Sequence, residues 1–111
     1  MSKRDGLSSV ELMILLALMR LGDDAYGVTV SAEIERETGR ETALGSIYAS
    51  LERLDENGLV CSELGEPTAA RGGRAKKYFR VTAKGVREVR SAKQSFVTLW
   101  RGLPQLKGVI P

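Results

Sequence analysis

The sequence has no histidine, one cysteine, three prolines and few aromatics, 5% of 111 residues. Each shortage closes off a class of function. Without histidine, the commonest general base and the commonest metal ligand are missing. No metal-ligand cluster, phosphate-binding glycine motif or nucleophile elbow takes its place. The many carboxylates follow exposed helical patterns, so the chain is expected not to be an enzyme and to hold no cofactor or metal. A single cysteine, Cys61, cannot form an internal disulfide, which suits a reducing cytoplasm. It is expected as a small core residue. Apolar runs fall well short of the roughly 20 residues that span a bilayer. No cleavage-type site follows Met1-Ser2-Lys3-Arg4-Asp5-Gly6, so no signal peptide and no membrane association are expected.

What is present is segregated charge. The net charge of +3 hides a division: residues 1–70 carry 6 Lys/Arg against 13 Asp/Glu, or −7, whereas residues 71–111 carry 11 against Glu88 alone, or +10. A basic second part suggests a polyanionic partner. A solvated basic helix would show the same composition.

Residues 42–60 organise the chain. Apolar Leu44, Ile47, Tyr48, Leu51 and Leu54 recur at helical spacing, with Thr42 as a cap and Gly58 as a left-handed terminator. The other face, Ala43, Gly45, Ser46, Ala49, Ser50 and Arg53, is small and nearly uncharged until Arg53. Small side chains admit another surface closely, and hydroxyls with an arginine can bond to phosphates or base edges. The stretch reads as a recognition helix.

The remainder reads as its mount. Residues 8–21 form a first helix opened by a Ser8/Glu11 capping box. It is apolar on nearly every side, so the surplus face, with Leu12, Leu16 and Met19, is expected to meet a second copy. Gly22-Asp23-Asp24 is expected to end it and cap a second helix over 25–38. There Tyr26, Val30 and Ile34 face inward, Glu33, Glu35, Arg36 and Glu37 face outward, and Gly39 closes the end. A four-residue link to the central helix makes a helix-turn-helix. Strands over 59–64 and 76–82 flank a glycine-rich loop and form a wing. The wing carries Arg71, Arg74, Lys76 and Lys77, the candidates for phosphate contacts. Thr82 caps a last helix over 83–102, whose broken apolar seam runs through Val86, Val89, Phe96, Trp100 and Leu103. Val89, Phe96, Leu99, Trp100 and Leu103 are expected at a dimer interface.

The expected fold is mostly α with a small β-hairpin, that is, a winged helix-turn-helix over 1–82 with an added C-terminal dimerisation helix and tail over 83–111. The expected DNA contacts are Tyr26, Thr42, Gly45, Ser46, Tyr48, Ser50, Arg53, Arg71, Arg74, Lys76 and Lys77. The series resembles the PadR family of winged-helix regulators. The resemblance lies in Leu7-Ser8-Ser9-Val10-Glu11, Ala25-Tyr26-Gly27-Val28, Gly45-Ser46-Ile47-Tyr48, Arg53-Leu54, Gly58-Leu59-Val60, Gly73-Arg74-Ala75-Lys76-Lys77-Tyr78-Phe79 and Val81-Thr82-Ala83-Lys84-Gly85. It implies a homodimer that binds double-stranded DNA and usually represses a nearby promoter, and the cysteine count places it in the cytoplasm. With one helix after the wing, the chain resembles the short form of that family. Planar molecules stack at the dimer centre in some relatives, so a small aromatic effector beside Phe96 and Trp100 is an alternative to plain interface packing. Two other readings compete. One is a winged-helix protein-interaction module without direct DNA readout. The other is an RNA binder, disfavoured because the basic surface lacks aromatics on which bases stack.

Overall fold

The computed structural model describes residues 6–66 and 75–107. In order these are α1 (Ser9–Leu21), α2 (Gly27–Thr38), α3 (Leu44–Glu56), β1 (Val60–Leu64), β2 (Lys77–Val81) and α4 (Ala83–Trp100), with 3-10 turns at Gly22–Asp24 and Pro104–Leu106. No helix among the described residues is long and apolar enough to cross a membrane.

The start of α1 is fixed locally. Ser8 Oγ accepts from the Glu11 backbone N–H at 3.1 Å, and the Glu11 carboxylate accepts from the Ser8 N–H at 2.9 Å. Two orphan donors of the first turn are thereby satisfied. Ile14, Leu15, Ala17 and Leu18 then enter the core, joined by Val30 and Ile34 of α2, Ile47, Leu51 and Leu54 of α3, and Leu59, Val60 and Phe79 of the hairpin. Leu16 and Met19, on the opposite side of α1, stand exposed.

The junction after α1 differs from expectation. Asp24 does not cap α2. Residues 22–24 make a 3-10 turn, and the N-cap is Tyr26, held extended with its N–H donating to Thr29 Oγ1 at 3.0 Å. Ala25 and Tyr26 form a third strand stub beside the hairpin. The Phe79 N–H donates to the Ala25 carbonyl at 2.9 Å, and Tyr26 bridges Tyr78. Two residues are too few to show an alternating pattern, which is why the stub was illegible in the sequence.

Glu33, expected to face outward, is 8% exposed. Arg20 Nε donates to it at 2.7 Å from α1, and Arg36 Nη2 at 2.7 Å from α2 itself. Buried carboxylates persist when paired in this way. These hydrogen bonds, from Arg36 first and Arg20 second, hold the Glu33 carboxyl below its ordinary range. The same bonds raise both arginines.

The wing pairs antiparallel in the register Val60 with Val81 through Leu64 with Lys77. Val60 and Phe79 point inward. Cys61 does not; it lies on the solvent side of β1, a correction to its expected core placement. Both roots of the wing meet at one joint. The Leu59 N–H donates to the Leu54 carbonyl at 2.9 Å, and the Leu59 carbonyl accepts from the Thr82 N–H at 3.0 Å. Thr82 Oγ1 donates to the Gly58 carbonyl at 2.7 Å and accepts from the Gly85 N–H at 3.1 Å, so one hydroxyl closes the turn and caps α4. Gly85 presses on this joint so closely that a Cβ there would overlap the Leu59 carbonyl and sit 2.7 Å from Val81 Cγ1.

The helix α4 ends at Trp100, two residues before the expected end, which leaves Leu103 in the tail. Val89 packs in part against the chain's own core. Beyond it, Phe96 and Leu99 are 59% and 74% exposed, and Leu103 is exposed as well.

Candidate nucleic-acid interface

The outer strip of α3 is open. Ala43, Gly45, Ser46 and Ala49 are exposed, and a Cβ at Gly45 would meet nothing within 4 Å. The helix is rotated about its axis relative to the expected stripe. Leu44 and Tyr48, both on the apolar stripe and Tyr48 also an expected DNA contact, are 40% and 43% exposed. Ser50, expected on the DNA face, is 4% exposed and is therefore not a candidate contact. Its hydroxyl accepts from Arg53 Nη2 at 3.1 Å. Arg53 Nε also lies 3.7 Å from the Glu11 carboxylate. The guanidinium remains half-exposed, yet it points along the flank toward α1 rather than out of the strip. Its partners are thus Ser50 and Glu11. Thr42 does not cap α3: the N-cap is Ala43, without a side-chain bond, and Thr42 Oγ1 lies 3.3 Å from Ser31 Oγ of α2. That contact ties the turn of the helix-turn-helix together.

A second group gathers at the N-terminus of α2. The Tyr48 ring crosses from α3 and lies over Gly27, the first residue of α2. A Cβ at Gly27 would fall 2.7 Å from the Tyr48 hydroxyl. Glycine is required there by the ring, since its backbone is ordinary helix. Beside it, Tyr26 packs edge-on against Tyr78, ring centroids 5.4 Å apart. Lys76 Nζ lies 4.4 Å from the Tyr26 ring centroid and donates to the Tyr26 hydroxyl at 3.2 Å. Around the start of α2 thus lie the Tyr48 ring over Gly27 and, one residue earlier, Tyr26 with Lys76 at its hydroxyl. Phenol, ammonium and helix N-terminal N–H are group types that suit an anionic oxygen such as a phosphate.

Lys77 leans from the base of the wing toward α3, its Nζ 3.5 Å from the Glu52 carboxylate. Glu52 was not foreseen on this face, although its spacing from Gly45 and Ala49 could have placed it there. Arg71 and Arg74 lie outside the described residues. The structure thus joins Lys76 to Tyr26, seats Tyr48 over Gly27, leaves Gly45 and Ser46 open, sets Lys77 beside Glu52, turns Arg53 to the flank and buries Ser50. The hollow beside Trp100 is lined by the chain's own tail, including Gly102, Leu103, Pro104 and Leu106, and not by Phe96.

Known proteins share this architecture. The chain is similar to a transcriptional regulator from Clostridium thermocellum, at 26% identity over 81% of this chain and 84% of that one, with a TM-score of 0.70. It is similar to a PadR-like transcription factor from Bacteroides fragilis, at 27% identity over 81% and 82% of the two chains, TM-score 0.70. With a PadR family regulator from Clostridium difficile it shares the fold, at 23% identity, TM-score 0.70, over 91% of this chain and all of that one. Among curated proteins none matches significantly. The family model of the PadR-like transcriptional regulators matches residues 15–91, most of the chain, from within α1 through the wing and into α4, and the protein belongs to that family.

Proposed function

We propose that the protein is a sequence-specific double-stranded DNA-binding repressor, acting as a homodimer on an inverted-repeat operator. The observation that carries this reading is the open, small-residue strip of α3, on a helix whose Tyr48 reaches the start of α2, where Lys76 meets Tyr26. In it the strip through Gly45, Ser46 and Ala49 presses into the major groove. The cluster at the start of α2 grips a phosphate beside that groove. Phosphate contacts set register and base contacts set sequence, so the two groups divide the work.

Dimerisation has independent support. Leu16 and Met19 border an apolar groove of about 400 Å³ with Met13, Ala17 and Ile34 along its floor, and Arg20, Glu33 and Glu37 stand at its edge. Phe96, Leu99 and Leu103 form an exposed apolar series on and beyond the distal half of α4. Burying one such side chain contributes about 1.5–3 kcal/mol, so leaving all of these in water is costly. In the proposed dimer the distal part of α4 from one protomer covers α1 of the other. Two recognition helices then meet successive major grooves about 34 Å apart.

The test is an electrophoretic mobility shift on DNA flanking the protein's own gene, followed by footprinting and a salt titration. An inverted repeat should be protected. A dimer neutralising six to ten phosphates should lose about 10³–10⁵ in affinity between 50 and 200 mM salt. A footprint without twofold symmetry, or affinity indifferent to salt, overturns the proposal.

A further inference from the structure

The outward strip of α3 contains one residue that a DNA face should not tolerate without a reason. Gly45, Ala49 and Glu52 follow at spacings of four and three, so they share one side of the helix. The first two are small and open. Glu52 is a carboxylate whose side chain is 62% exposed. Phosphates within a Debye length, about 8–10 Å at ordinary salt, repel it. A residue that only repelled would weaken every duplex alike. Lys77 offsets that repulsion: its Nζ lies 3.5 Å away, so the pair enters the interface near neutrality.

Resting on the DNA-binding reading above, we propose that Glu52 is a base-reading residue that selects cytosine in each half-site. An ionised carboxylate has acceptors and no donor. In the major groove guanine presents only acceptors, which exclude it. Cytosine offers its N4 amino group, the established match for Glu or Asp. Adenine places an acceptor beside its amino group and so suits a side-chain amide, which has a donor as well as an acceptor. The smooth run from Gly45 to Ala49 lets the groove floor approach near enough for the Glu52 side chain to reach a base edge. Lys77 accompanies it and transfers to a neighbouring phosphate when Glu52 engages the base.

The experiment is selection of binding sites from a random duplex pool by the full chain, run in parallel on the wild type, Glu52→Gln and Glu52→Ala, with helix content checked by circular dichroism. The side chain is exposed, so neither substitution disturbs packing. The wild type should enrich a motif with cytosine at one symmetric position, preferred over other bases on the order of tenfold to a hundredfold. Glu52→Gln should shift that position toward adenine, and Glu52→Ala should lose preference there and nowhere else. An unchanged motif in both variants overturns the assignment while leaving DNA binding intact. So does an unchanged motif bound more tightly by Glu52→Ala, the mark of simple repulsion. Failure of the wild type to enrich any duplex overturns the assignment together with the reading beneath it.

Discussion

Gly27→Ala separates what the corner between α2 and α3 does for binding from what it does for folding. The new Cβ would lie 2.5 Å from Tyr48 Cζ and 2.7 Å from its hydroxyl, so the ring must leave its seat. The obstructing atoms belong to the far end of a side chain that is already 43% exposed, and they can swing into solvent. The departing ring forfeits its van der Waals contacts with the start of α2, about 0.1–0.2 kcal/mol per atom pair and so on the order of 1 kcal/mol in sum. Alanine regains about 0.5–1 kcal/mol over glycine in helical conformation. The two nearly cancel, so the melting temperature should move by no more than about 4–8 °C, the shift expected for 1 kcal/mol in a domain of this size. Binding should suffer far more. A hydrogen bond to a charged phosphate contributes about 1.5–3 kcal/mol, and a twofold dimer loses it twice. Affinity should fall by roughly two to four powers of ten at fixed salt. The assay pairs urea unfolding with fluorescence anisotropy on a labelled operator. Tyr48→Phe, which keeps the ring seated and removes the hydroxyl, serves as the companion and should lose affinity to a similar degree. Wild-type affinity in both variants would refute the phosphate role. A stability loss above about 2 kcal/mol in Gly27→Ala would show that the corner is chiefly a folding element.

Further outcomes follow from other parts of the molecule. Glu33 has a folded pKa lowered by Arg36 and Arg20, so its contribution is present above the unfolded carboxylate range, near about 4.3, and is lost as pH falls through the folded value. Urea midpoints of the wild type and Glu33→Gln should therefore differ by a constant amount from pH 7 to about 5 and converge in more acid solution. Gly85→Ala drives a Cβ into the Leu59 carbonyl and Val81, where backbone has to yield, and should cost about 1–3 kcal/mol by denaturant unfolding. Leu99→Glu places a charge on the most exposed apolar side chain of α4 and should give monomers in analytical ultracentrifugation with unchanged helix content. A dimer that survives Leu99→Glu locates the interface elsewhere.

The helices were legible because their ends carry local signals. The Ser8/Glu11 box, Gly39 after α2 and Thr82 before α4 each act through bonds to residues at most four positions away. The rotation of α3 was not legible. By size alone Tyr48 belongs inside and Ser50 outside, and the fold reverses both. Ser50 is tolerated inside because Arg53, one turn on, supplies its hydrogen bond. Tyr48 is outside because Gly27, 21 positions earlier in the chain, leaves a seat for its ring. Glu33 was misjudged for the same kind of reason, since Arg20, its partner on α1, is 13 residues away. Cys61 follows from the phase of the hairpin, which is set by Val60 and Phe79 entering the core. In the candidate site, residue types were readable from spacing, but their orientation depended on partners remote in sequence.

The joint at Leu59 and Thr82 fastens the end of α3, both roots of the wing and the first turn of α4 to a single point. In the proposed dimer α4 is therefore a rigid arm that holds each reading head at a set distance and angle from the molecular twofold. One residue inserted into α4 beyond Gly85 would turn the distal contact surface by about 100° and extend the arm by about 1.5 Å. The centre-to-centre spacing of the operator halves is, on this view, encoded in the length of that arm, while their sequence is encoded in α3, so the two properties can evolve separately.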